Sequence, residues 1–357
     1  MSARAARLEG PGLDGILVVA KPAGPTSHDV VALVRRLAAT RRVGHGGTLD
    51  PFATGVLPVF LGRATRLVEY HLADRKAYRA TVCFGASSTT DDLDGEMTPA
   101  DGPGPTREVV EAALAAFRGP ISQMPPAYSA IKVEGRRAYQ VARSGGTPEL
   151  RPRDVTIDRL ELVDWDGSDP DRPIAVLDVE CSAGTYVRAI ARDLGRAVGS
   201  AAHLGALVRT ASGGFRLPEA VPLEAIRAAA ADGPAGLIAL LQPVDAGLER
   251  LPRVVLTDAE VAAAVRGQFI RPAAGLPRLA TPEERAIAVD ATGRIVAVVG
   301  LRDGRLVPDK VLVDAPASAR LEPSANDRPT VDVEAALAAE LDAPSSVDPD
   351  PASPDDL

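Results

Sequence analysis

Cysteine is nearly absent. Cys83 and Cys181 are the only two in 357 residues, with no CxxC and no paired Cys/His spacing. That excludes a disulfide framework and a structural zinc site. Aromatic residues are scarce at 3%, so within a hydrophobic content of 46% Ala and Val must do much of the core packing. No apolar run approaches the ~20 residues of a membrane helix. The opening MSARAARLEGPGLDG lacks the apolar stretch of a signal peptide. A cytoplasmic protein that does not enter a membrane is expected. At about 100–200 residues per domain, the length suggests two domains and a tail.

An excess of basic charge is also missing, since the chain nets −8. The deficit is local. Residues 316–357 hold ten acids and two bases, which accounts for all of it, and 1–315 hold equal numbers of each sign. A neutral body can still present a basic face, so an RNA partner is not excluded. The tail is rich in Pro, Ser, Ala and Asp, has no aromatics, and reads as disordered.

The body reads as α+β. GILVVAKPAG (15–24) is a short strand, and SHDVVALVRRLAAT (27–40) a helix with Ser27 as its N-cap. KAYRATVCFG (76–85) alternates like a half-buried strand, and STTDDLDGE (88–96) is a polar turn. TREVVEAALAAFRG (106–119) is a capped helix, 173–199 read as strand, turn and helix, and PLEAIRAAA (222–230) is a further helix. From about Leu251 a second, β-rich unit follows. It opens on a capped helix (257–267), and its strands are joined by turns at Thr292-Gly293 and Asp303-Gly304. Without strict βαβ repetition, a mixed, largely antiparallel sheet flanked by helices is expected.

The stretch RVGHGGTLDPFATGVLPV (42–59) holds one carboxylate, Asp50, among glycines, proline and apolar residues. The plain reading is a turn in which Asp50 caps a backbone amide and Pro51 starts a helix. The functional reading is a loop that lets a planar substrate approach the backbone at Gly44, Gly46 and Gly47 and presents one acid to it. A lone acid suits a nucleophile better than a paired-acid glycosidase, and it cannot hold a metal by itself.

GHGGTLDPFATGVLPVFLGRATR (44–66) closely resembles the catalytic motif of the TruB family, the bacterial tRNA pseudouridine-55 synthases. The likeness continues in order through 19–36, 76–85, 89–96, 124–145 and 180–195, and covers roughly 15–215. It implies a pseudouridine synthase catalytic domain over 1–250 with a thumb insertion at about 124–153. It further implies a PUA-like RNA-binding module over 251–315, with the acidic tail at 316–357. It makes Asp50 the nucleophile, Arg188 its cationic partner and Tyr78 the active-site tyrosine. His45 would fill the space left by a flipped base, Leu207 would wall the pocket, and Lys21 would support the active-site loop. Where the family motif usually carries threonine, this chain has Gly46, and a looser loop is expected there.

In the thumb, Lys132, Arg136, Arg137, Arg143, Arg151 and Arg153 alternate with Tyr128 and Tyr139, a composition that suits gripping an RNA backbone. The resemblance implies isomerisation of a uridine in the tRNA T-arm stem-loop by a monomer. No cofactor, metal, guide RNA or membrane would take part. Two other readings stay open: a non-catalytic tRNA-binding or folding chaperone on the same scaffold, and a carboxylate-nucleophile hydrolase of small nucleosides.

Overall fold

The computed structural model describes residues 13–313 except 130, 134, 135, 278, 280, 282 and 283. The tail expected over 316–357 lies outside the described residues. In chain order the strands are β1 (Gly15–Lys21), β2 (Val43–His45), β3 (Thr54–Leu61), β4 (Lys76–Phe84), β5 (Ala86–Ser88), β6 (Met97–Pro99), β7 (Gly119–Gln123), β8 (Lys132–Val133), β9 (Arg136–Arg137), β10 (Arg153–Asp166), β11 (Ile174–Cys181), β12 (Ala202–Ser212), β13 (Phe215–Arg216), β14 (Val221–Pro222), β15 (Arg253–Val255), β16 (Ala286–Val289), β17 (Ile295–Arg302) and β18 (Arg305–Val311). The helices are α1 (Ser27–Leu37), α2 (Val68–Leu72), α3 (Arg107–Ala113), α4 (Ala138–Arg143), α5 (Val187–Ala197), α6 (Leu223–Ala231), α7 (Pro234–Ala239) and α8 (Asp258–Val265).

The main sheet runs β14-β1-β3-β12-β4-β11-β10-β7, with β2 paired to β3 and β13 to β12. Only β1/β14 and β3/β12 are parallel, so the sheet is mixed and largely antiparallel, as the sequence pattern predicts. The central strands are apolar on both faces. In β3 seven of eight residues are buried, which requires cover on both sides. One core joins Leu17, Leu57, Leu177 and Leu204 to Val30 and Val34 of α1 and Ile190 and Leu194 of α5. A smaller one on the other face gathers Ile16, Val56, Phe60 and Phe215.

Two local expectations are corrected. The N-cap of α1 is Thr26, not Ser27. Thr26 and Asp29 form a reciprocal capping box, which satisfies amide groups at the open helix end. That leaves Ser27 free to point inward, where its hydroxyl donates to Leu49 O (3.1 Å) and accepts from Leu49 N (2.9 Å). Nor does Pro51 start a helix. The chain bends at 51–52 and enters β3 at Thr54.

The second sheet, β15-β16-β17-β18, has its own core of Val254, Leu256, Ala286, Ala288, Val299 and Leu306. Asp303 and Gly304 both take positive φ (50° and 67°), the geometry a two-residue hairpin needs to match strand twist. Ile287, Val289, Val298 and Leu312 pack with Leu67 and Leu248 from the body that carries the main sheet. Lys310 pairs with Glu69 at 2.9 Å, and Tyr70 donates to Asp309 at 3.0 Å.

Close approach fixes one glycine. Gly55 has φ 103°, and a Cβ there would lie 2.3 Å from the carbonyl oxygen of Arg209 on the neighbouring strand. Gly24 has nearly the same φ (105°) but open space around it. Gly55→Ala should therefore destabilise the fold by at least ~2 kcal/mol and Gly24→Ala by only ~1 kcal/mol. Urea unfolding midpoints of the two variants check this; equal costs would mean that backbone strain alone matters at Gly55.

Candidate active site

The loop 46–53 joins β2 to β3 and is tied down by buried side chains. Lys21, 1% exposed at the end of β1, donates from Nζ to Pro51 O (3.1 Å), Ala53 O (2.7 Å) and Pro22 O (2.9 Å). Burial pulls its ammonium down to about 8, which Asp50 opposes and Arg209 reinforces. Two of its three hydrogen bonds thus go to the loop. Ser27 holds Leu49 on both sides of its peptide. Gly46, where a looser loop is expected, has a backbone partner and a close ring neighbour. Its amide donates to Pro58 O at 2.9 Å, and the Phe60 ring occupies the space a side chain would need.

Asp50 keeps 34% of its side chain open and meets Arg188, the second residue of α5, through both oxygens. Arg188 Nε lies 3.0 Å from Oδ2, and Nη2 donates to Oδ1 at 3.2 Å. This is the planar two-point contact a guanidinium makes with a carboxylate. The remaining donors are also committed. Nη1 reaches Asp92 Oδ2 (3.1 Å) and Thr90 O (3.0 Å), and Nη2 also reaches Tyr128 O (3.1 Å). Arg188 therefore ties the acid loop, the 90–92 segment and the backbone at Tyr128 to α5.

One turn further along α5, Arg192 pairs with Asp91 (2.9 Å) and donates to Met124 O (2.8 Å). The i, i+4 spacing puts both arginines on one helix face. The polar turn 88–96 is thus a wall of the site. Its buried Asp92 accepts from Thr90 Oγ1 and from Asp94 N.

Burial pushes the Asp50 carboxyl above the usual carboxylate range. Arg188 opposes this, and Asp92 and Asp94 add to it. Two carboxylates share one guanidinium, so each limits what Arg188 does for the other.

Tyr78 lies on β4 directly opposite Arg209 of β12, and burial raises its phenol. Leu207 is 6% exposed two residues earlier on β12. His45 ends β2. Its Nδ1 accepts from Gly47 N (3.3 Å), and its ring meets His28 edge-on at 5.5 Å. Burial, His28 and Arg209 all lower its basicity, so the ring is neutral with its proton on Nε2. His28, assigned no part from sequence, is its neighbour.

The structure thus brings together Asp50, Arg188, Tyr78, Lys21, His45 and Leu207. The side chains of Lys132, Arg136, Arg137 and Arg143 lie outside the described residues. Sequence reasoning missed Arg209, Asp92, Tyr186 and Ser27. Tyr186 is held reciprocally by Gln123, whose side chain accepts from its amide (2.8 Å) and donates to its carbonyl (3.1 Å). A cleft of about 380 Å³ lined by Cys83, Phe84, Met97, Arg172 and His203 includes none of these residues and no carboxylate. Among the described residues no group of three His, Cys, Asp or Glu side chains is arranged to hold a metal, and no helix is long and apolar enough to cross a membrane.

The architecture is the pseudouridine synthase fold. A Cbf5–Nop10–Gar1 complex holds a chain 27% identical to this one, with TM-score 0.66 over 85% of this chain and 86% of that one. An archaeal box H/ACA Nop10–Cbf5 complex shares the fold, with TM-score 0.66 over 88% and 92% at 24% identity. Residues 35–187 match the N-terminal domain of the TruB family pseudouridylate synthases, and 188–249 the C-terminal domain of tRNA pseudouridylate synthase B. The tRNA pseudouridine synthase B of Bradyrhizobium diazoefficiens is 42% identical over 300 residues, 83% of this chain and 85% of its own. That of Symbiobacterium thermophilum is 47% identical over 266 residues, 74% and 86% respectively. The chain belongs to the TruB family of pseudouridine synthases.

The shared guanidinium gives a two-signed expectation. Followed by ¹³C NMR of its carboxyl, Asp50 titrates above the usual carboxylate range. Arg188→Met moves that titration to higher pH by removing the opposing cation. Asp92→Asn moves it to lower pH by removing a neighbouring anion. A shift of the same sign in both variants would contradict this account of the electrostatics.

Proposed function

We propose that this protein converts uridine-55 in the T-loop of tRNAs to pseudouridine. The observation that carries the reading is the two-point Asp50–Arg188 pair on a glycine-walled loop beside Tyr78. The target base is flipped out of the folded loop, at a cost of a few kcal/mol in stacking, and His45 fills the vacancy. The Arg188 cation keeps Asp50 ionised against the burial that opposes it. Asp50 then attacks C1′ or assists departure of uracil from it, and the N1–C1′ bond breaks.

The base turns, the C5=C6 pair bonds C5 to C1′ as the N1 lone pair forms C6=N1, and where Asp50 had bonded to C1′ that bond breaks and the carboxylate is released. C5 still carries its hydrogen at that point. The C5–H pair becomes the C5=C6 double bond, the C6=N1 pair moves to N1, and N1 takes a proton from water. The C5 proton leaves towards the Tyr78 oxygen and returns to solvent. Substrate and product are isomers, so the balance calls for no redox partner and no cofactor.

Tyr78 also offers its ring to the flipped base, and Leu207 an apolar wall. The thumb over 124–153, with Lys132, Arg136, Arg137 and Arg143, grips the T-arm backbone. The module over 251–315 adds RNA contacts. The enzyme acts in the cytoplasm as a monomer and without a guide RNA. Relatives named tRNA pseudouridine synthase B support the tRNA reading.

The test is tritium release from a T-arm stem-loop labelled at C5 of uridine-55. Wild type releases tritium. Asp50→Asn does not, although it binds the stem-loop as tightly. Tight binding by wild type without any release would leave a tRNA-binding chaperone in place of an enzyme. Release from free uridine would favour the nucleoside hydrolase.

A further inference from the structure

Arg209 is the largest of the fully buried side chains, 1% exposed in the middle of the main sheet. Among the described residues no carboxylate pairs with it. Its donors go instead to backbone carbonyls on both arms of the Asp50 loop. Nη2 reaches Gly47 O (3.2 Å), Nη1 reaches Thr48 O (3.3 Å), and Nε reaches Val56 O (2.6 Å). Tyr78 is its direct cross-strand partner, and the phenol feels the charge of the same guanidinium.

A buried cation without a counter-ion costs several kcal/mol, and an apolar side chain would pack at that position without the penalty. Carbonyl dipoles offset part of the cost. The phenol is the acidic group placed to use the charge.

We propose that Arg209 is a positioning residue of the reaction, clamping both arms of the Asp50 loop while holding positive charge against the Tyr78 oxygen. This rests on the function proposed above, and extends it to a residue that touches neither the acid nor the base being moved. The clamp acts on Asp50 through Gly47 and Thr48, three and two residues before it. The charge acts on Tyr78, whose oxygen must receive the C5 proton. Other groups face the pair as well. Asp50 from the loop and Cys181 from β11 act on Tyr78, and Lys21, Lys76 and His45 all feel the Arg209 charge. Burial works against ionisation of Tyr78, and Arg209 is the largest opposing influence.

The two roles separate experimentally. Lysine keeps the charge, but a point ammonium cannot reach three carbonyls as a guanidinium fork does. Methionine loses both charge and clamp, and glutamine loses the charge but keeps hydrogen-bond donors. 3-Fluorotyrosine placed at position 78 gives a ¹⁹F signal that reports its own ionisation, independent of turnover. Alongside it, single-turnover tritium release from the labelled stem-loop and stem-loop affinity are measured.

The expected result is that the fluorotyrosine titrates at higher pH in R209M and R209Q than in R209K or the parent. In all three variants release slows on the order of 10²-fold, the cost of misplacing a catalytic loop, while affinity holds. Thermal unfolding identifies any variant that does not fold; R209Q serves if R209M fails. A fluorotyrosine titration identical in the parent and a folded neutral variant overturns the electrostatic role. An R209K that releases tritium at the parental rate overturns the clamp. A shifted titration in a protein that never releases tritium would sink the enzyme reading and leave the Arg209–Tyr78 coupling standing.

Discussion

The site depends on the buried guanidinium of Arg188. Its three guanidinium nitrogens reach four separate partners: Asp50, Asp92, the Thr90 carbonyl and the Tyr128 carbonyl. A buried cation of this kind contributes little to net stability once its desolvation is counted. What it contributes is uniqueness of arrangement. Removing any one partner strands a donor or a carboxylate in a dry place, so the acid loop, the 90–92 wall and the backbone at Tyr128 hold one relative position. The shape of the site is therefore set by hydrogen-bond satisfaction more than by apolar packing.

Below this lies a layer of cations that touch only backbone. Lys21 holds Pro22, Pro51 and Ala53, Arg209 holds Gly47, Thr48 and Val56, and Lys76 holds Leu72 and Asp74 through their carbonyls. The Asp50 loop is short of regular structure and rich in glycine, so its carbonyls have few ladder partners. Buried donors supply them. Of these, Lys21 faces Asp50 and Arg209 faces Tyr78, so the side chains that fix the loop also set the local field.

Much of this was legible in the sequence where a residue's chemistry is local. The lone acid among glycines, the alternation of KAYRATVCFG and the turn residues of the C-terminal hairpins all translate directly into the structure. What was missed depends on long-range register. Arg209 sits in LVRTASGG, where a strand arginine reads as a surface residue. Only the pairing of β12 with β3 and β4 turns it inward. Asp92 belongs to a run that looks like a solvated turn, and the arginine that claims it lies 96 positions later. Ser27 fits the N-cap pattern, yet Thr26 does too and forms the full box with Asp29, so the local signal cannot separate them. Gly46 was read for the hydroxyl its loop lacks, whereas the deciding neighbour is the Phe60 ring across the strand pair.

The pairing of Arg188 with Asp50 has a consequence for synthesis. The acid is translated 138 residues before its partner, and the strand that carries Tyr78's partner ends at Ser212. A chain emerging from the ribosome thus carries the acid loop long before anything can hold it in shape. Contacts this distant in sequence form late and slowly. No amino-terminal fragment ending before α5 can assemble the centre. For this fold a prematurely terminated chain lacks the Asp50–Arg188 pair, which forms only after most of the main sheet has been made.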